Sequence, residues 1–144
     1  MTTRTIRDIV KNQTPVTAPP SMMVRMAATI MKERHVGAMM VVDQGQLVGV
    51  FTERDALNRV VAEGRDAMTT TLAEVMTHAP QTLGPDAAFS SALELMHDNR
   101  FRQVPVVENG RPIGLISVRD AMGPELESFV YEMLRQEQVS EVLA

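Results

Sequence analysis

Cysteine and tryptophan are absent from the chain, and aromatic residues make up only 3% of it. Without thiols there are no disulfides, no thiolate nucleophile and no cysteine-ligated zinc. Four Phe and one Tyr are too few for the stacking platforms of single-strand nucleic-acid binders. No run approaches the roughly 18 consecutive apolar residues of a membrane helix. The opening Met-Thr-Thr-Arg-Thr-Ile-Arg-Asp lacks the apolar centre of a signal peptide. The expectation is a soluble, cytoplasmic protein that is neither exported nor membrane-bound. A basic excess is missing too, since the formal net charge is −4, which argues against general nucleic-acid binding. Between Pro124 and Ala144 five glutamates stand against Arg135, so the acidic excess lies in the tail.

What the chain does contain is core material and a repeat. Its 144 residues are 44% hydrophobic, with twelve methionines, enough for an ordinary globular core. Leu47-Val-Gly-Val-Phe-Thr-Glu-Arg-Asp-Ala56 is written again as Pro112-Ile-Gly-Leu-Ile-Ser-Val-Arg-Asp-Ala121, 65 residues later. The same offset pairs Val10 with Val75, Pro15 with Pro80, Thr17 with Thr82, Met31 with Met96 and Gly45 with Gly110.

Periodicity and punctuation predict the same element order in both copies. A short extended piece at Pro15-Val-Thr or Pro80-Gln-Thr precedes a proline turn. Ser21 or Asp86 is then expected to cap a helix whose apolar face carries Val24, Ala27, Ala28 and Met31, or Phe89, Ala92, Leu93 and Met96. Two apolar runs follow, and Asn109-Gly110 between the second pair is a strong hairpin signal. A second helix is expected from Thr52, with Ala56, Leu57, Val60 and Val61 on one side. Gly123-Pro124 breaks the pattern, and a new helix is expected there with an apolar stripe at Leu126, Phe129, Val130, Met133 and Leu134.

With the repeat, this element order and a Gly-x-x-Thr/Ser-x-x-Asp ending in each copy, the chain resembles a pair of CBS domains over roughly residues 5–123. The resemblance is carried by Val36-Gly-Ala-Met-Met-Val-Val-Asp, Gly49-Val-Phe-Thr-Glu-Arg-Asp, Val75-Met-Thr-His-Ala-Pro, Phe101-Arg-Gln-Val-Pro-Val-Val and Gly114-Leu-Ile-Ser-Val-Arg-Asp. It implies an α+β fold of two tandem β-α-β-β-α repeats packed as a pseudo-two-fold pair, with a C-terminal helix. Repeat 1 is expected at residues 1–67, repeat 2 at 68–123 and the helical tail at 124–144. It also implies a non-catalytic, regulatory protein that binds AMP, ADP, ATP or a related adenosyl ligand between the repeats. A homodimer through the helices is implied as well, with Met22, Met23 and Met26 as a candidate face. The competing function is a scaffold or adaptor that docks a protein partner without a ligand.

The candidate binding residues carry two readings each. Thr52 with Asp55, and Ser117 with Asp120, have the spacing of a helix-capping box. In the resembling family the aspartate takes ribose hydroxyls, and the hydroxyl residue lies near phosphate. Gly49 and Gly114, inside apolar strands, mark either a bulge or close packing, or room for a flat ligand. Val16, Thr17, Gln81 and Thr82 are plain edge-strand residues or, by resemblance, present backbone to an adenine edge. Arg54, Arg100, Arg102 and Arg119 are solvated surface charges or phosphate ligands, since a guanidinium fork matches phosphate oxygens. Ala38, Gln103 and Pro105, at the strand entries, complete the set; the family often has histidine where this chain has Gln103. Because the second copy carries Arg100 and Arg102 where the first has His35 and Gly37, the two sites are expected to differ in affinity. His35, His78 and His97 lack metal-ligand spacing. No Gly-x-Ser-x-Gly elbow, Walker loop or Rossmann glycine fingerprint occurs, so neither a metal nor a catalytic cofactor is expected.

Overall fold

A computed structural model describes residues 4–118, 120, 131–132 and 134–136. The first half contains α1 (Ile6–Val10), β1 (Thr17–Ala18), α2 (Val24–Arg34), β2 (Ala38–Asp43), β3 (Gln46–Thr52) and α3 (Glu53–Asp55). From α3 the chain runs on into a π-helical segment, Ala56–Val61. The second half contains α4 (Leu72–Val75), β4 (Thr77–His78), α5 (Phe89–Asn99), β5 (Gln103–Glu108) and β6 (Arg111–Ser117). β1 to β4 form one sheet in that order; β5 pairs with β6, and Leu83 bridges to Val106 in parallel. None of the described helices is long and apolar enough to cross a membrane.

The hairpins follow directly from turn chemistry. Gln44-Gly45 and Asn109-Gly110 all have positive φ, between 52° and 80°, as a two-residue turn matching strand twist requires. The tips meet where the Leu47 amide donates to the Gly110 carbonyl at 3.0 Å.

The starts of α2 and α5 differ from the expectation of Ser21 and Asp86 as caps. The N-cap residues are Met23 and Ala88, neither with a side-chain cap bond. Backbone from elsewhere in the chain supplies the acceptors: Val24 N–H donates to the Thr70 carbonyl, Arg25 N–H to Ala67, and Phe89 N–H to Arg4. These partners meet the need for which a capping side chain is otherwise selected. The core faces are also narrower than the periodicity suggests. Ala28 and Leu93 are exposed, whereas Val24, Ala27, Met31, Phe89, Ala92 and Met96 are buried.

α1 and α4 exchange places between the halves. Ile6 and Val10 lie in a core with Phe89, Ala92, Met96, Val104, Val106 and Ile116. Leu72, Val75 and Met76 lie in the other core, with Val24, Met31, Met39 and Phe51. Matching backbone bonds lock the exchange, from Ile6 N–H to Ala87 and Arg7 N–H to Pro85, and from Leu72 N–H to Met22 and Ala73 N–H to Pro20. Each short helix opens with a capping box, Thr5 with Asp8 and Thr71 with Glu74. These boxes match at one residue more than the 65-residue offset, so Val10 and Val75 are not equivalent here and the first copy carries one extra residue before Pro15. The Thr5 hydroxyl and amide hold the Asp8 carboxyl below its ordinary value, and the Thr71 amide and hydroxyl do the same for Glu74.

The helix from Thr52 presents Val60 to the core but leaves Leu57 and Val61 exposed, contrary to the single apolar side expected. The expected tail stripe falls largely outside the described residues. Within them, residues 131–132 and 134–136 are helical, and Tyr131 and Leu134 are exposed.

Candidate functional site

Thr52 ends β3 and caps α3. Its hydroxyl accepts the Asp55 N–H at 3.1 Å, and the Asp55 Oδ2 accepts the Thr52 N–H at 3.0 Å. Asp55 is only 8% exposed and has a cationic neighbour, Arg59 Nε, 3.6 Å from Oδ1. The capping-box reading of the motif therefore holds locally. Beside it opens a cavity of about 630 Å³ that both halves of the chain line.

Of the residues expected from sequence, the cavity brings together Thr52, Arg54 and Asp55 from the first copy with Gln81, Arg100, Arg102, Gln103 and Pro105 from the second. The first copy's helix start thus faces the second copy's strand entry, a crossing that the order of the sequence does not display. Arg100 is the αL residue that ends α5, with φ of 58°, and its carbonyl accepts the Arg54 Nη1–H at 3.2 Å. The Gln81 side-chain amide donates to Asn99 Oδ1 at 3.3 Å and ties two walls together. Gly37 leaves the space that Gln103 occupies, since a Cβ there would lie 2.8 Å from the Gln103 Nε2.

Val16, Thr17, Ala38, Gly49, Thr82, Ser117 and Asp120 do not line this cavity. Thr17 pairs with Met40, and the Val16 carbonyl accepts the Met40 N–H. Ala38 lies opposite Thr52 in the β2–β3 ladder, and Thr82 precedes the Leu83 bridge. Ser117 N–H donates to Asp120 Oδ2 at 2.6 Å, the counterpart of the Thr52–Asp55 contact. Arg119 lies outside the described residues. Gly49 and Gly114 make room for the protein itself: a Cβ at Gly49 would collide with the Met76 side chain, and one at Gly114 with Val10 and Gln13. The Gln13 amide then pairs with the Leu115 backbone in both directions, at 2.8 and 3.0 Å, much as β4 pairs with Val50 in the first half.

Residues not singled out as ligand candidates also line the cavity: Gly37, Val50, Glu53, Leu57, Thr77, Ala79, Pro80, Asn99 and Phe101. Glu53, Asn99 and Phe101 flank chosen positions directly, so extending each motif by one residue would have found them. Thr77 carried no such signal, because β4 is only two residues long. Chemically, the site offers a buried carboxylate, three guanidinium groups, amide side chains and apolar walls at Val50, Pro80 and Pro105. Among the described residues no three His, Cys, Asp or Glu side chains cluster as a metal site would require.

A family model described as CBS domain matches the chain twice, at residues 6–62 and 72–123. The chain is 33% identical over 115 residues to the CBS domain-containing protein YhcV of Bacillus subtilis, spanning 80% of this chain and 81% of that one. It is 35% identical over 101 residues to the mitochondrial CBS domain-containing protein CBSX3 of Arabidopsis thaliana, spanning 67% of this chain but only 49% of that protein. Among solved structures, the CBS-domain containing protein ATU1752 from Agrobacterium tumefaciens is similar with a TM-score of 0.74 at 32% identity, covering 81% of this chain and 95% of the other. The CBS domain pair of protein MJ0100, solved in complex with 5-methylthioadenosine and S-adenosyl-L-methionine, is similar with a TM-score of 0.75 at 25% identity, covering 83% and 94%.

Proposed function

This chain belongs to the CBS-domain family, and on that premise we propose that it is a ligand-sensing regulatory module whose ligand is an adenine nucleotide. CBS-domain proteins are generally regulatory, and we read this chain as a regulatory module and not a catalyst. One observation carries the choice of ligand: a single cavity joins Asp55 and Thr52 to Arg54, Arg100 and Arg102. A carboxylate able to accept a vicinal diol, beside guanidinium groups suited to phosphate oxygens, complements a ribose phosphate. Val50, Pro80 and Pro105 supply apolar surface for a base. At about 630 Å³ the cavity falls in the range of small-molecule sites. The adenosyl ligands bound by the MJ0100 pair support the adenosine part of this reading.

Because the walls come from both repeats, a bound nucleotide bridges them and favours whichever relative packing binds it better. A thermal-shift panel of AMP, ADP, ATP, adenosine, S-adenosylmethionine and guanine nucleotides tests the proposal. A ligand at 100 times its dissociation constant adds about 2.7 kcal/mol of stability. Adenine nucleotides are expected to raise the transition, and silence across the panel rejects the reading.

The scaffold reading has its own observation. Of the three methionines expected at a dimer face, Met23 and Met26 are exposed, at 41% and 58%, while Met22 packs against the core. Exposed Met23 and Met26 at the start of α2 suit a homodimer contact, and a monomer in sedimentation equilibrium rejects that assignment.

A further inference from the structure

Arg59 is not among the residues that line the cavity, yet it contacts Asp55, which does, and the two residues that precede Thr77. Its Nε lies 3.6 Å from the Oδ1 of Asp55, while its Nη1 donates to the carbonyls of Met76 at 2.9 Å and Val75 at 3.3 Å. Those carbonyls end α4, where the helix leaves acceptors without internal partners and a cation is favoured. The next residue, Thr77, opens β4 and lines the cavity. One half-exposed guanidinium therefore connects the buried carboxylate to the segment that leads into Thr77. It projects from the π-helical segment that follows α3, a rare geometry that recurs at functional sites. In the second copy the position 65 residues on is Pro124, which has no side-chain donor.

We infer that Arg59 is a positioning residue of the ligand site: it fixes the Asp55 carboxylate relative to the segment that leads into Thr77, so that a vicinal diol meets a preorganised acceptor at Asp55. The inference rests on the nucleotide reading above. A carboxylate already held by the Thr52 amide on one oxygen and a guanidinium on the other loses little freedom when ligand arrives, which preserves affinity.

Dissociation constants for ATP and 2′,3′-dideoxy-ATP, measured on wild type, Arg59→Gln, Arg59→Lys and Asp55→Asn, test it. Wild type should prefer ATP by about tenfold, the worth of one hydrogen bond to a charged group. Arg59→Gln should bring that ratio close to one while leaving dideoxy-ATP affinity within about twofold, because a diol contact contributes nothing to the dideoxy ligand. Arg59→Lys keeps the charge without the fork and should recover only part of the ratio. In an Asp55→Asn background Arg59→Gln should change the ratio no further. Hydrogen exchange at the Thr77 amide of the free protein should accelerate in Arg59→Gln. Wild type that discriminates beside an Arg59→Gln that discriminates equally overturns this inference alone, even if the variant melts lower. Wild type that binds neither nucleotide overturns the nucleotide reading and this inference together.

Discussion

Arg54 of the first repeat donates from Nη1 to the main-chain carbonyl of Arg100 in the second, at 3.2 Å. The contact joins a helix start to a helix end across the cavity, and with Arg102 it gathers three guanidinium groups along one lining. Arg102→Ala is therefore expected to weaken ATP by roughly 10- to 150-fold, the range of hydrogen bonds to charged groups. Adenosine, which lacks phosphates, should lose about twofold at most. Calorimetric titration of both ligands checks this, and equal losses for the two would remove Arg102 from the phosphate site.

Arg100 occupies the αL position that normally favours glycine, with φ of 58°. Arg100→Gly is expected to stabilise the free protein by about 1 kcal/mol while weakening ATP. His35→Gly, at the same position of α2 with φ of 56°, should give the stabilisation without the loss of ligand. Urea midpoints and ATP affinities for the pair separate backbone strain from ligand contact. A rise in both stability and affinity for Arg100→Gly would contradict the assignment.

The hairpins and the helix start at Thr52 were legible in the sequence because local chemistry decides them. Asn109-Gly110 needs positive φ, and Thr52 with Asp55 satisfies a helix start wherever it occurs. What the sequence did not display depends on contacts between distant segments. Ser21 and Asp86 had the right chemistry for caps, but the Thr70 and Arg4 carbonyls reach the helix starts instead. Gly49 and Gly114 pointed to space without saying that Met76 and Val10 fill it. Eight of the residues named from sequence line one cavity and seven others do not, and the pairing of Asp55 with Arg100 and Arg102 follows only from packing.

The exchange of α1 and α4 makes each core depend on a helix from the other half. Ile6 and Leu72 are both 0% exposed. Ile6→Ala and Leu72→Ala should each destabilise by about 2–5 kcal/mol, the range for large-to-small core changes. Hydrogen exchange should show the effect of Ile6→Ala in α5, β5 and β6, and that of Leu72→Ala in α2, β2 and β3. Effects confined to each helix's own half of the sequence would contradict the exchange.

The capping carboxyls set a pH dependence. Glu74 and Asp8 are held below their ordinary values of 4.5 and 3.8 in the folded chain, so the unfolded chain binds more protons in acid. Their contribution is fully present above the ordinary values and is lost as pH falls through the depressed folded ones. Urea midpoints from about pH 6 to about pH 3 should decline less steeply in Glu74→Gln than in wild type. Parallel curves would show that the Thr71–Glu74 box contributes nothing.

If the cavity built by Asp55 together with Arg100 and Arg102 of the opposite repeat binds an adenine nucleotide, the binding must depend on Asp55. Calorimetric titration of ATP into wild type, Asp55→Ala and Asp120→Ala measures this dependence. Saturable binding to wild type is expected, with a loss of about tenfold or more for Asp55→Ala and a smaller loss for Asp120→Ala. No heat from wild type, or equal losses in the two variants, would contradict it.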